Sequence, residues 1–278
     1  MTEHDPKVFV QRQNRNMLQA AGGTLALIYH QTVYNLRNEQ RNAVIGLLMT
    51  IVQAIVFMAA FVLIFLVVGV RTSPLRGDFM LYLMSGIFLF MTHVRAVNAV
   101  STAGGAGALL KHEPLNQAVL IAAAALAVLY RQIISIITIL WFYHVLLSPI
   151  EIERPVGALA MLLVAWMSGG AVGLVFLSIK PWLPRFAGVA STLYQRVNMF
   201  ASGKMFVANV LPNFMLPYFW WNPLFHAIDQ ERGYVFINYT PMKTSQTYAL
   251  WFTLAVFMIG LLINFTTRKY QSASWTLG

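Results

Sequence analysis

Residues 117–147 read QAVLIAAAALAVLYRQIISIITILWFYHVLL, and Arg131 is the single Asp, Glu, Lys or Arg in the run. A bilayer's hydrocarbon core is about 30 Å thick and takes about 20 apolar residues in a helix. This stretch is long enough to cross, so its solvent is expected to be lipid. Further apolar runs lie on either side: Ala43 to Val70, ending at Thr72-Ser73-Pro74; Phe79 to Val100; Gly157 to Ile179, closed by Lys180-Pro181; Phe186 to Phe200; and Thr247 to Thr267, followed by Arg268-Lys269. Together they predict an all-α integral membrane protein of six transmembrane helices.

Composition points the same way. Of 278 residues, 58% are hydrophobic and 10% charged, whereas a soluble domain carries about 25% charged residues. That balance excludes a soluble enzyme, a nucleic-acid-binding domain and a disulfide-stapled secreted module. A net charge of +10 then reads as positive-inside loops and contact with anionic lipid. With no cysteine, disulfides, thiolate nucleophiles and cysteine metal sites are absent. Residues 1–23 are polar and lack an apolar signal core, so the first span is expected to insert by itself.

Charge sets the expected orientation. One side of the six-span layout holds Lys7, Arg12, Arg15, Arg37, Arg41, Lys111, Lys180, Arg185, Arg268 and Lys269; the other holds Arg71, Arg76, Arg154, Lys204, Arg232 and Lys243. The more basic side is read as cytoplasm, with both termini inside.

Two stretches are neither spans nor ordinary loops. Within 24–41, Leu25, Ile28, Tyr29, Thr32, Val33 and Leu36 share one helical face, with His30, Gln31, Arg37, Asn38 and Arg41 off it. This reads as an N-terminal interfacial amphipathic helix, or alternatively as a solvated helical tail. The domain division is therefore 1–41, cytoplasmic N-terminus, and 42–278, transmembrane domain. The second stretch, 200–246, is too apolar for a solvated loop, yet Pro212, Pro217 and Pro223 break it before a full span forms. Irregular backbone at membrane depth survives only when buried in protein or lining a cavity. A re-entrant helical hairpin is expected there, with Asn222-Pro223 as cap and first helical residue; a hairpin resting on the outer leaflet is the other reading.

Missing chemistry narrows the function. The acidic residues all fall outside the six runs, whereas ion-driven carriers keep carboxylates in the bundle and metal-assisted enzymes need them for the ion. The nearest approach to a phosphate-binding loop is Gly203-Lys204, but Met205 follows and Asn198 stands where the first glycine belongs. The chain is thus expected to be a passive pore subunit, not an enzyme, that borrows its energy. Arg196 falls mid-run and is expected to face a polar interior or an anion; Arg95 and Arg131 either do the same or snorkel to headgroups. The six histidines show no metal-site spacing and are read as structural. Gly169 and Gly173 form a Gly-x-x-x-Gly face suited to close helix contact. Tyr218, Phe219, Trp220, Trp221, Tyr234, Phe236 and Tyr239 form either an interfacial belt or stacking platforms for sugar rings.

The layout of interfacial helix, six spans and broken segment before the last span resembles the permease subunit of type-2 ABC exporters. Ala201-Ser202-Gly203, Leu211-Pro212, Trp221-Asn222-Pro223-Leu224-Phe225-His226, Arg232 and Asn238-Tyr239 look like the capsular polysaccharide and O-antigen permeases. Leu109, Leu110, Lys111, His112 and Glu113, within 104–116, match the place of that family's cytoplasmic coupling helix. One departure is the joint Asn35-Leu36-Arg37-Asn38-Glu39-Gln40-Arg41, which has no glycine where the family usually carries one.

The resemblance implies a half-transporter. Two copies would form the channel, with two copies of a separate ATPase holding ATP and Mg, and this chain binding no cofactor. The cargo would be a lipid-linked, acidic capsular polysaccharide. Coupling would run through 104–116 with Arg37 and Arg41. The path would use Arg95, Arg131, Arg196, Tyr194, Trp166 and Phe200. The periplasmic gate would use Gly203, Pro212, Trp220, Trp221, Asn222, Pro223 and Arg232. A periplasmic co-polymerase and outer-membrane export proteins would be further partners, and nucleic acid none. The competing readings are an O-antigen or teichoic-acid exporter permease, a membrane-embedded enzyme acting on lipid-linked sugars through Asp229 and Glu231, and a structural assembly subunit.

Overall fold

The computed structural model describes residues 17–38, 43–68, 75–103 and 116–275. Those residues form helices α1 (Met17–Asn38), α2 (Ala43–Val68), α3 (Phe79–Thr102), α4 (Gln117–Leu146), α5 (Pro155–Ile179), α6 (Pro184–Ala201), α7 (Pro217–Trp220), α8 (Pro223–Val235) and α9 (Gln246–Trp275), with a 3-10 turn at Ala208–Val210. Strands are absent among the described residues. Among the described residues, five helical stretches are long and apolar enough to cross a membrane: Val44–Ile64, Phe79–Thr102, Gln117–Leu146, Pro155–Ile179 and Gln246–Thr267.

The helix starts follow local chemistry. Asp78 caps α3, its carboxylate accepting the Met80 N–H at 2.7 Å, and Asn116 caps α4 by accepting the Ala118 N–H at 3.1 Å. Prolines open α5, α6 and α8, where the missing N–H costs nothing.

Helix α3 is the axis of the bundle, enclosed by α5, α4, α8, α2 and α6. Its closest neighbour is α5, and the two glycines picked out by spacing are the reason. A Cβ on Gly169 would lie 2.3 Å from the His93 carbonyl oxygen, and one on Gly173 would lie 2.7 Å from that of Val97. Small residues let the backbones meet where a larger side chain would hold them apart. Helix α9 closes on the other side of α5, and α1 packs along α4. Outward-facing side chains on α2 and α9 are apolar, including Val44, Leu48, Leu63, Trp251, Leu262 and Phe265. Continuous apolar exposure of this extent marks a surface that meets lipid or protein rather than water.

The fifth expected crossing, Phe186 to Phe200, falls in α6, which has 18 residues and is not among the five long apolar stretches. Its first half is apolar, but Ser191, Thr192, Tyr194, Gln195, Arg196 and Asn198 make its second half amphipathic. The N-terminal segment is helical earlier than expected, from Met17. Ile28, Thr32, Val33 and Leu36 are partly covered, whereas Leu25 and Tyr29 stay exposed.

Candidate functional site

Two polar assemblies occur inside this apolar bundle. The first is a ladder in the C-terminal half of α3. Arg95 donates to Gln132 of α4 and, at 3.0 Å, to Gln53 of α2. The Gln132 amide donates in turn to the Thr92 hydroxyl at 3.2 Å. One residue along, His93 is fully buried; its Nδ1 lies 3.0 Å from the Ser168 hydroxyl and 3.2 Å from the Ala165 carbonyl of α5, and its Nε2 hydrogen-bonds the Tyr194 hydroxyl of α6 at 2.9 Å. Asn98 and Gln195 exchange a pair of amide bonds at 3.0 and 2.8 Å. Together these bonds tie α3 to α2, α4, α5 and α6, so the ladder fixes the mutual rotation of five helices. Polar pairing of this kind holds spans together where water cannot compete.

The second assembly is the segment after α6. Asn198 and Asn222, both fully buried, bond to each other at 2.8 Å, and Asn222 also donates to the Ala201 carbonyl at 2.9 Å while capping α8 through the Leu224 N–H. Arg232 is fully buried and donates to three main-chain carbonyls: Gly203 at 3.0 Å, Phe206 at 2.6 Å and Lys204 at 2.7 Å. Its guanidinium carbon lies 4.4 Å from the centre of the Tyr82 ring in α3. Gly203 makes the turn possible: its φ is +71°, and a Cβ there would strike the Phe225 ring at 2.5 Å. Asp229 accepts from the Ala208 N–H at 3.1 Å, the Tyr239 hydroxyl at 2.5 Å and the Thr244 hydroxyl at 2.8 Å. His226 accepts the Ser245 N–H at Nδ1 and hydrogen-bonds the Trp220 carbonyl through Nε2. Helix α8 is thereby buried among α3, α5 and α9, tied down at both ends.

Glu231 differs from these. It is 6% exposed, and its Oε2 is buried without a hydrogen-bond partner. Burial pushes this carboxyl up to about 8, against the opposing pull of Arg232.

The expected path residues do not converge on one lumen within a single chain. Arg95 is drawn into the ladder, and Trp166 donates to the Ala125 carbonyl at 2.8 Å, joining α5 to α4. Arg131 is half-buried on α4. Tyr194 faces inward, but Arg196 and Phe200, on the other side of α6, are exposed. The mid-run position of Arg196 suggested an inward polar contact; the helix rotation that seats Tyr194 on His93 turns Arg196 out. The gate residues do cluster. Gly203, Asn222, Pro223 and Arg232 are buried in the knot, Trp220 packs on His226 and Tyr248, and Trp221 donates to the Tyr218 carbonyl at 2.7 Å. Pro212 is exposed at the turn before α7. Asp229 and Glu231, the two acids of the membrane-enzyme reading, are both buried. Arg37 is exposed at the end of α1. Arg41, Leu109, Leu110, Lys111, His112 and Glu113 lie outside the described residues.

Lys204 and Asn198 are partners that sequence reasoning did not assign. Lys204 is 2% exposed, donates to the Met199 carbonyl, and its ammonium lies 3.9 Å from the Phe90 ring centre. Their signal was available only as oddity: polar residues flanking a glycine directly after an apolar run. No group of three or more His, Cys, Asp or Glu able to hold a metal occurs among the described residues. No protein-family model matches the chain, and no curated protein matches it either.

Proposed function

We propose that this chain is the membrane permease half of an ATP-driven exporter that carries a lipid-linked acidic polysaccharide, of capsular type, from cytoplasm to periplasm. The observation that carries the reading is the knot around Arg232 and Asn222. A broken helical segment between α6 and the last apolar helix has its helix α8 buried and cross-braced at both ends, as an element that moves as one rigid piece must be. On this reading α6 completes a sixth, short crossing. Residues 200–246 re-enter the membrane from the periplasmic side, α1 lies in the inner interface, and both termini are cytoplasmic in a bacterial inner membrane. A second copy covers the exposed face of α6, which places Arg196 and Phe200 at a path between protomers rather than inside one. Basic groups there favour a polyanion without holding it, which is what conduction requires. ATP and Mg reside on a separate ATPase that docks at 104–116 and near Arg37 and Arg41. Periplasmic co-polymerase and outer-membrane export proteins would continue the route.

The test is reconstitution in lipid with the neighbouring ATPase subunit. The expected result is a stable complex whose ATP hydrolysis changes at least severalfold when Lys111, His112 and Glu113 are replaced together by alanine, with no hydrolysis by the permease alone. Failure to form any complex with an ATPase would overturn the reading. The membrane-enzyme alternative is weakened at Asp229, whose buried carboxylate is already engaged by three donors from the chain itself.

A further inference from the structure

A cavity of about 240 Å³ lies between α3, α4, α5 and α8. Its walls are apolar, with Leu81, Ile136 and Leu162 among them, and Glu231 is the one ionisable side chain lining it. Ser85, also on the wall, donates its hydroxyl proton to the Tyr82 carbonyl at 2.8 Å. Ile137 and Leu159 line the cavity and are 61% and 47% exposed, so it opens sideways between α4 and α5.

Arg232 donates to three carbonyls and lies against the Tyr82 ring, while its Nε–H is buried without an acceptor; Asp229 accepts from three donors. Glu231 thus stands on the wall of an apolar chamber open to the bilayer side, with one buried oxygen unpartnered. A buried polar atom without a partner is costly, and the cost is relieved by a ligand that supplies a donor. A donor that also carries positive charge gains most, because it displaces the carboxyl proton to solvent and pairs with the anion left behind, and the remaining wall selects a hydrocarbon body.

We propose that this chamber is a binding site for a primary ammonium group on an aliphatic chain, with Glu231 as the carboxylate that receives it. The site is distinct from the proposed path and independent of what is exported. Its ammonium could be supplied by a small free amine or by an ethanolamine lipid headgroup reaching in through the α4–α5 opening.

The probe is hexylammonium, with hexan-1-ol as the neutral match, added to the full chain in phosphatidylcholine nanodiscs. The readout is the melting temperature followed by tryptophan fluorescence. A saturable rise is expected with hexylammonium, and none of similar size with the alcohol. Glu231→Gln should weaken the apparent affinity by at least about tenfold, the scale of a lost charge-assisted hydrogen bond. Leu159→Trp, which obstructs the opening and leaves the carboxylate in place, should weaken it likewise and guards against a folding defect in the first variant. Competition by added phosphatidylethanolamine would identify the lipid headgroup as the source; undiminished hexylammonium binding in its presence would identify a free amine. Equal shifts with amine and alcohol, no shift with either, or a rise undiminished in both variants would overturn the proposal.

Discussion

Arg232 forks to three carbonyls that follow one another around a left-handed turn, and no other side chain has that reach. A lysine at the same place carries a point charge without the planar fork. Arg232→Lys should therefore destabilise the protein by about 3 kcal/mol, the scale of losing one or two bonds to a charged donor, read as a lowered unfolding midpoint in detergent. Retention of full stability would mean the carbonyls find other donors. Glu231 gives a pH signature of opposite origin. Its carboxyl is raised from 4.5 to about 8 on folding, so between those values the folded chain binds more protons than the unfolded one. Stability from this group is then retained at the acid end and falls as pH rises through the window. Glu231→Gln should match the parent near pH 5 and melt higher than it at pH 8; parallel profiles would show that the carboxyl is not held protonated.

At the scale of elements, the α3–α5 contact is set by absent side chains. Gly169→Leu would push a branched chain into the His93 carbonyl and should cost roughly 1–3 kcal/mol, the range for overpacking, while also disturbing the His93–Tyr194 bond that seats α6. A melt compared with Met167→Leu, on the half-exposed side of the same helix, separates the contact from a general effect of leucine. This contact was legible in the sequence, as were the five long apolar helices, because hydrophobic run length and glycine spacing are local signals. Helix α6 was less so: Phe186 to Leu193 reads as the start of a crossing, and only the positions of Ser191, Tyr194, Gln195 and Asn198 reveal the turn toward α3. The burial of the charged residues of α8 could not be read. Asp229 and Arg232 look like a wet surface until their partners at Ala208, Thr244 and Gly203 are brought in by the tertiary fold, and no periodicity within residues 223–235 encodes those partners.

For the whole molecule, the layout makes a prediction that the composition allows to be tested cleanly. The chain contains no cysteine, so single introduced thiols report without background. Glu151→Cys, before α5, and Arg185→Cys, at the start of α6, should be labelled by an impermeant maleimide from opposite faces of sealed vesicles, with Arg185→Cys on the cytoplasmic face. Labelling from the same face would remove α5 as a crossing. The bracing of residues 203–245 also bears on how the chain is made. A ribosome delivers α3 before Thr244 and Ser245, so the carboxylate of Asp229 and the amide of Gln230 stay without their Thr244 partners until residue 244 has been made. A nascent chain stalled before that point would hold an under-bonded carboxylate against the membrane insertion machinery. Closure of the knot during biogenesis is therefore gated by synthesis of residues 244–245, and chains cut before them should be cleared by membrane quality control rather than accumulate half-built.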